Sequence, residues 1–532
     1  MLNNYHLKRS RKIVRQFKKG QLTIKYNLDS VPINTSINWD YIHGKNKSTY
    51  QVYLHSLNFI QDFIYVANHD KKPSLHKLAK EIVLDWYKNT RTNKKNGAWH
   101  EHSVSARIIN IIDFQLSAED HKIDSETFQK IIKQHCGYLY LDSKYKYNNH
   151  GLMMDNALIY ASRFIENETL KNRYISKALL RVKLSLRRDV SSNFLHTENS
   201  PEYHKLYLAI MDDILETCKL LNINLGAEYE SIIHNAKVIS NVIVKPNMEF
   251  PMLGDTGRIS LKSEKIYEDF VDNDAGLAIF QNKNLKKDSN STFFTFTCGY
   301  KSKTHKHNDD LSVTYFLNGH DLLVDSGKYG YDRKDVIRNY IISPDAHSTI
   351  YLKNSEYLLP SNSFSVRDRL KITKSLITKS FKIITGINNL YDGVKIKRSC
   401  IITSDNVLIV IDNITSEENQ TVIQNFNLSP FSKVSRLSDD SFSINVDKTK
   451  YHLKTLLING DQLTSYLTEG NVSLKFGEIT KNNKAVFEVN GNNICVVSTL
   501  AEKKQQVDII EYDEDYIVFE VNKKRYDIPF EL

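Results

Sequence analysis

HKHNDDLSVTYFLNGHDLLVDSGKYGY, running from His305 to Tyr331, is the stretch on which the rest of the chain turns. It opens with two histidines two residues apart, followed by a segment of period-2 alternation. Asn318-Gly319 marks a tight turn, after which DLLVDSG forms a second strand ending near Asp325. In an extended segment, side chains i and i+2 share a face, so His305 and His307 are expected to point the same way. Two imidazoles and a carboxylate on neighbouring strands can hold a metal ion, and a histidine with a free ring nitrogen can move a proton. His347, in DAHSTI, joins this set.

On either side of this stretch the hydrophobic period differs. Upstream, QVYLHSLNFIQDFIYVANH (51–69), LHKLAKEIVLDWYKNT (75–90) and SVSARIINIIDFQLS (103–117) carry apolar residues at helical spacing. Segments 151–165, 172–190 and 202–221 continue the pattern. Successive helices joined by short polar loops suggest an α-solenoid or an (α/α) toroid. The pattern changes near 245–260, at the glycine-flanked loop FPMLGDTGR. Beyond it, 291–300, 311–325, 442–447, 485–499 and 515–528 alternate as strands, with Asn-Gly pairs at 318–319, 459–460 and 490–491 as turn signals. The expectation is a multidomain α+β chain: a helical domain over 1–255, then an antiparallel β-sandwich over 256–532.

A chain of 532 residues exceeds one ordinary core, while 9 prolines and 19 glycines leave little room for a long linker. Thirty tyrosines suit sugar-binding clefts, where a ring stacks and its hydroxyl bonds, and they suit ordinary cores equally. The net charge of +10, from 72 basic and 62 acidic residues, favours a polyanionic partner, with denser basic spots at 88–95 and 186–189. No nucleic-acid recognition motif accompanies it. Five scattered cysteines without a C-x-x-C pair argue against a disulfide framework or a cysteine zinc site and for buried free thiols. No apolar run approaches a membrane span. The basic N-terminal segment has no apolar core of a secretory signal, so a soluble, cytoplasmic protein is expected as written, or a secreted or periplasmic one if a signal has been removed.

Four clusters carry the chemistry. YNNHGLMMDNAL places Asn148, Asn149, His150 and Gly151 at a helix start, where Asn and His also serve as caps. ENSPEYHKLY places Tyr203 and His204 behind Ser200-Pro201 at another. The third is the His305/His307 segment, and the fourth is RNYIISPDAHSTI, with Arg338, Tyr340 and His347. In order and kind, from about Trp99 to His347, these resemble the heparinase II/III-like polysaccharide lyases. That family joins an (α/α) toroid bearing Asn-His-Gly and Ser-Pro-x-Tyr-His to a β-sandwich opening with His-x-His-x-Asp-x-Leu-Ser.

The resemblance implies β-elimination on a uronic acid. Asn149 and His150 would neutralise the sugar carboxylate, Tyr203 would act as base, acid or both in turn, and His305 would be the second proton-transfer group. His307, Asp325 and His347 match positions that bind structural zinc in some members; the alternative is a metal-free hydrogen-bonded cluster, with Asp309 and Asp310 orienting the histidines. No organic cofactor is implied. Trp99, Arg107, His204, Tyr331 and Arg338 are expected to contact substrate, and Arg258 is a further candidate for an oxyanion; the alternative for each arginine is a structural ion pair. Met153 stands where some members carry a glutamate, which argues against equivalence to the dual-specificity heparin lyases. Some relatives without a signal are encoded beside bacterial capsule genes, so the polysaccharide is left open. The same residues would suit a uronyl C5-epimerase, or a non-catalytic factor in capsule assembly. Nothing in the sequence marks an oligomer interface.

Overall fold

The computed structural model describes residues 6–25, 28–33, 36–44, 47–92, 97–332, 334–357, 359–360, 363–513 and 515–529. The basic run at 88–95 therefore lies outside the described residues from 93 onward, as do the first five residues. Contacts divide the chain into two units: Met1–Arg188 with Tyr207–Ile233, and Asp189–Leu206 with His234–Leu532. The boundary expected at 255/256 falls in the stretch between the helix Ala227–Ile243 and the strand Phe270–Asp272. Contacts move 189–206 and 234–255 into the sheet-bearing unit, because Ser191 and Asn193 bond Asp272 and Val271, and Lys245 bonds Asp321.

The first unit is helical. Pro73–Thr90, Glu101–Ser117, Ser125–Tyr140, Asn149–Ser162 and Glu168–Asp189 follow one another through short connections. The helix expected over 51–69 is two helices, Lys47–Ser56 and Ile60–Asp70, broken where Leu57 takes a left-handed conformation with φ 56°. Val104, Ile108, Ile111 and Ile112 of Glu101–Ser117, at helical spacing, are fully buried, as are Trp86 and Phe63.

The second unit is layered. A five-stranded antiparallel sheet runs in sequence order from Phe270–Asp272 to His320–Leu323. Its Phe280, Phe294, Phe296 and Tyr315 share a core with Ile384, Ile402, Phe426 and Phe487 of a ten-stranded sheet. Alternation sends Ile383, Ile401 and Ile409 to the opposite face, where Ile517 and Phe519 of a three-stranded sheet cover them. Asn318 and Gly319, both at positive φ, make the expected hairpin between Ser312–Leu317 and His320–Leu323. Asn490-Gly491 does not turn the chain: it lies inside the strand Thr480–Glu502, opposite a register irregularity between Thr415 and Gln420. The single strand expected over 515–528 is a hairpin, Tyr516–Val521 with Lys524–Pro529. All five cysteines are free and buried, and among the described residues no helix is long and apolar enough to cross a membrane.

Candidate active site

In the second unit three loops converge. The helix Pro201–Leu220 begins with Pro201 in its first turn, where the missing N–H costs nothing, so Tyr203 stands at the helix start. Ahead of it, Asn199 takes φ 57° and donates to the carbonyls of Ser302 and Thr304. The loop 253–257 threads between these segments: Thr256 and Ser200 share a hydroxyl hydrogen bond of 2.6 Å, and the Gly257 N–H donates to Glu202. Gly254 has φ 52°, and a Cβ there would meet the carbonyl oxygens of Asn199 at 2.5 Å and His305 at 2.6 Å.

These loops bring Tyr203 and His305 face to face, with ring centroids 3.5 Å apart and planes 17° from parallel. The Tyr203 and Tyr331 hydroxyls are 2.6 Å apart, and the Lys328 ammonium lies 5.0 Å from the Tyr203 ring. Partial burial, the hydrogen bond with Tyr203 and the negative charge nearby push the Tyr331 phenol upward, and either hydroxyl can donate in the pair.

His305 is not in a strand. It sits in a turn at φ 59°, so the shared direction of His305 and His307 comes from that turn and not from strand pleat. Both rings reach one carboxylate: His305 Nδ1 is 3.0 Å from Asp255 Oδ2, and His307 Nε2 is 3.1 Å from Asp255 Oδ1. Arg338 closes on the same group with Nη1 and Nη2 at 2.5 and 3.2 Å. Burial alone would raise the Asp255 carboxyl, but the donors from His305, His307 and Arg338 outweigh it and hold the group well below the usual carboxylate range. Sequence reasoning missed Asp255; the available signal was an acid between two glycines in the loop read only as a boundary.

His307, Asp325 and His347 come together as expected: one donor atom from each lies within 4.8 Å of the others. His347 Nδ1 is 3.2 Å from Asp325 Oδ2. His307 Nδ1 and His347 Nε2 are buried without a hydrogen-bond partner. Asp309 and Asp310 do not orient these histidines. They hold the buried Lys306 ammonium, and Asp310 also accepts from the Gly299 N–H.

Two expected substrate contacts in this unit are otherwise employed. His204 is 1% exposed; its Nδ1 accepts from the His196 N–H, which leaves Nε2 to donate to the Ala236 carbonyl. Burial lowers this imidazole to about 4, fixing it as a neutral brace. The guanidinium fork of Arg338 is taken by Asp255. Arg258 is half exposed and pairs with Glu249 at 2.6 Å.

In the first unit, Asn148 caps the helix Asn149–Ser162 by accepting from the His150 N–H. Gly151 is required there, since a Cβ would lie 1.9 Å from the Lys146 carbonyl oxygen. His150 is partly exposed and its Nδ1 is 3.2 Å from Glu101 Oε1, a partner that sequence reasoning did not pick out of WHEHS. Trp99 is partly buried, its indole N–H donating to the Thr90 carbonyl. Arg107 is not available to a sugar. It is 0% exposed, lies 3.9 Å from the Trp86 ring, and donates to His135 and to the carbonyls of His55 and Ala98.

Comparison with known proteins bears on this arrangement. Residues 8–284 match the heparinase II/III N-terminus and residues 268–510 the heparinase II/III-like C-terminal domain, and the chain belongs to this family. The fold is similar to a heparan sulfate lyase from Pedobacter heparinus, with TM-score 0.80 and 16% identity over 99% of this chain and 90% of that one. It is also similar to a heparinase III, with TM-score 0.81 and 14% identity over 100% and 93%. A chondroitinase AC lyase aligns at TM-score 0.55 and 9% identity over 98% and 86%. No curated protein sequence matches the chain. The fold is thus an (α/α) toroid followed by an antiparallel β-sandwich.

Proposed function

We propose that this protein is a polysaccharide lyase that cleaves an acidic, uronate-containing polysaccharide by β-elimination. The observation that carries the reading is the stacked Tyr203–His305 pair with Tyr331 hydrogen-bonded to the Tyr203 oxygen. Elimination needs a base for the C5 proton, an acid for the departing C4 oxygen, and a partner that neutralises the carboxylate. The Tyr331 hydroxyl lies 2.6 Å from the Tyr203 oxygen and the Lys328 ammonium 5.0 Å from the Tyr203 ring, so a hydrogen-bonding hydroxyl and a positive charge stand beside the atom assigned to the C5 proton. Tyr203 takes the C5 proton, the C–H electrons form the C4–C5 double bond, and the C4–O bond breaks. The leaving oxygen takes up a proton from Tyr203 or His305, so no proton is gained or lost overall. Asn149 and His150 are assigned to the sugar carboxylate from their motif, with Glu101 orienting His150.

The donor set of His307, Asp325 and His347 fits a zinc ion, because two imidazole nitrogens are buried with nothing else to bond. Bound there, zinc would supply a fixed positive charge that holds three chain segments together. Metal analysis of purified protein is expected to find about one zinc per chain; a metal-free protein with the same activity would remove the ion from this account.

The function is tested by following short-ultraviolet absorbance with heparan sulfate, chondroitin, hyaluronan, alginate and bacterial capsules. A rise that disappears in Tyr203→Phe is the expected result. A flat trace accompanied by solvent proton exchange at C5 would mark an epimerase and overturn the lyase reading.

A further inference from the structure

Asp255 is 1% exposed and accepts from three side chains at once: His305, His307 and Arg338. Its two oxygens divide the work. Oδ2 faces the Nδ1 of the histidine stacked on Tyr203, and Oδ1 faces the Nε2 of His307, whose other nitrogen, Nδ1, is buried without a partner and whose residue is one of the three candidate metal ligands. We infer that Asp255 is a positioning residue that couples occupancy of the His307–Asp325–His347 site to the orientation of His305. The inference rests on the lyase reading only for its catalytic arm.

The physical reason is geometric. A metal ligand's second ring nitrogen commonly donates to a carboxylate, and that contact fixes the ring and raises its basicity. Here that carboxylate has no freedom of its own. Arg338 grips it through two nitrogens, and it sits in a loop whose Gly254 and Thr256 are packed against neighbouring backbone and Ser200. A rotation of the His307 ring therefore passes to Asp255, and from Asp255 to the ring that faces Tyr203. Coupling of this kind requires a contiguous set of groups with little slack, and the three contacts of 3.0 to 3.2 Å on His305, His307 and Arg338 Nη2 supply one.

The test uses the full chain, zinc as the probe, and Asp255→Asn, which keeps the size of the side chain but replaces one acceptor oxygen by a donor. Three readouts are taken: zinc affinity by chelator competition, kcat against KM on the polysaccharide found active, and the rate at which diethyl pyrocarbonate modifies His305, read by mass spectrometry with and without zinc. Asp255→Asn is expected to weaken zinc binding by roughly 10- to 100-fold. It is expected to lower kcat by about 10²-fold with KM nearly unchanged. In the unmutated protein, zinc is expected to change the His305 modification rate severalfold, and Asp255→Asn is expected to abolish that difference. If only one of zinc affinity and kcat falls, or if zinc leaves His305 reactivity unchanged in the unmutated protein, the coupling is overturned. Failure of the lyase reading looks different: no substrate is turned over, while the zinc and His305 readouts still respond. If Asp255→Asn does not fold, Arg338→Lys loosens the same carboxylate and is expected to move the readouts in the same direction by a smaller factor; no movement would overturn the inference.

Discussion

Each unit buries an arginine among histidines, and the two clusters are built to opposite ends. Around Arg107, the charge lies over Trp86 and is donated to carbonyls and to His135, whose Nδ1 donates to the Ile131 carbonyl while Nε2 accepts from Arg107; Arg107 Nη2 is buried without a partner. Burial drives both Arg107 and His135 well below their ordinary values. Around Arg338, the charge meets a carboxylate, two histidines share that carboxylate, and two ring nitrogens next to it are left without a partner. A network without a carboxylate, whose donors end on an imidazole and backbone carbonyls, braces a fold. An open one, with carboxylates and unspent nitrogens beside partly exposed tyrosines, is equipped to hold something else.

The difference can be broken most sharply at the stacked pair. Tyr203→Phe and His305→Asn are each expected to lower turnover by about 10²- to 10⁴-fold while barely moving the melting temperature. Initial rates beside thermal melts check this, and a large loss of stability would put the pair with the braces. Arg107→Ala should do the reverse. It strands the buried His135 nitrogen and two carbonyls and is expected to cost about 3 kcal/mol, with turnover per folded molecule unchanged, as read by denaturant titration.

Acid should act on both units. Burial, with the Arg107 charge adding to it, lowers His55 to about 4, and burial lowers His204 to about 4. Each must take up a proton on unfolding, so the unfolded state binds more protons between the free-histidine value of about 6.5 and 4. Stability is therefore expected to be full above about 6.5 and to be lost as pH falls toward 4. Denaturant midpoints over that range check the slope, which His55→Gln should flatten. The smallest effect is expected at Arg258→Ala. Its pair with Glu249 is half exposed, so the change should move stability by less than about 0.5 kcal/mol and leave kcat alone; a tenfold loss of activity would instead place Arg258 at the substrate.

Much of this was legible in the sequence. Period gave the helices and strands, because a helix in the first unit hides one stripe and a strand in the second hides alternate residues. The break at Leu57 escaped because apolar spacing continues through it, and Asn490-Gly491 misled because a bulge uses the same residues as a turn. The motif residues Tyr203, Tyr331 and His305 do come together, as do the three candidate metal ligands. What pattern could not give was which charged residue meets which. Arg107 and His204, expected at the substrate, are buried, whereas Asp255, in a segment read only as a loop, and Glu101, given no role, both meet imidazoles. Pairings between residues 50 apart depend on how loops cross, and no local period records that.

Gly254 turns one such crossing into an experimental handle. The two atoms that a methyl there would strike are main-chain oxygens, so neither can swing aside as a side chain would. Gly254→Ala is a wedge of fixed size driven between the segment ahead of Tyr203 and the turn that carries His305. It keeps every reactive group and alters only their spacing. A protein built this way offers a ruler for asking how far apart its two proton carriers can stand before they cease to work as a pair.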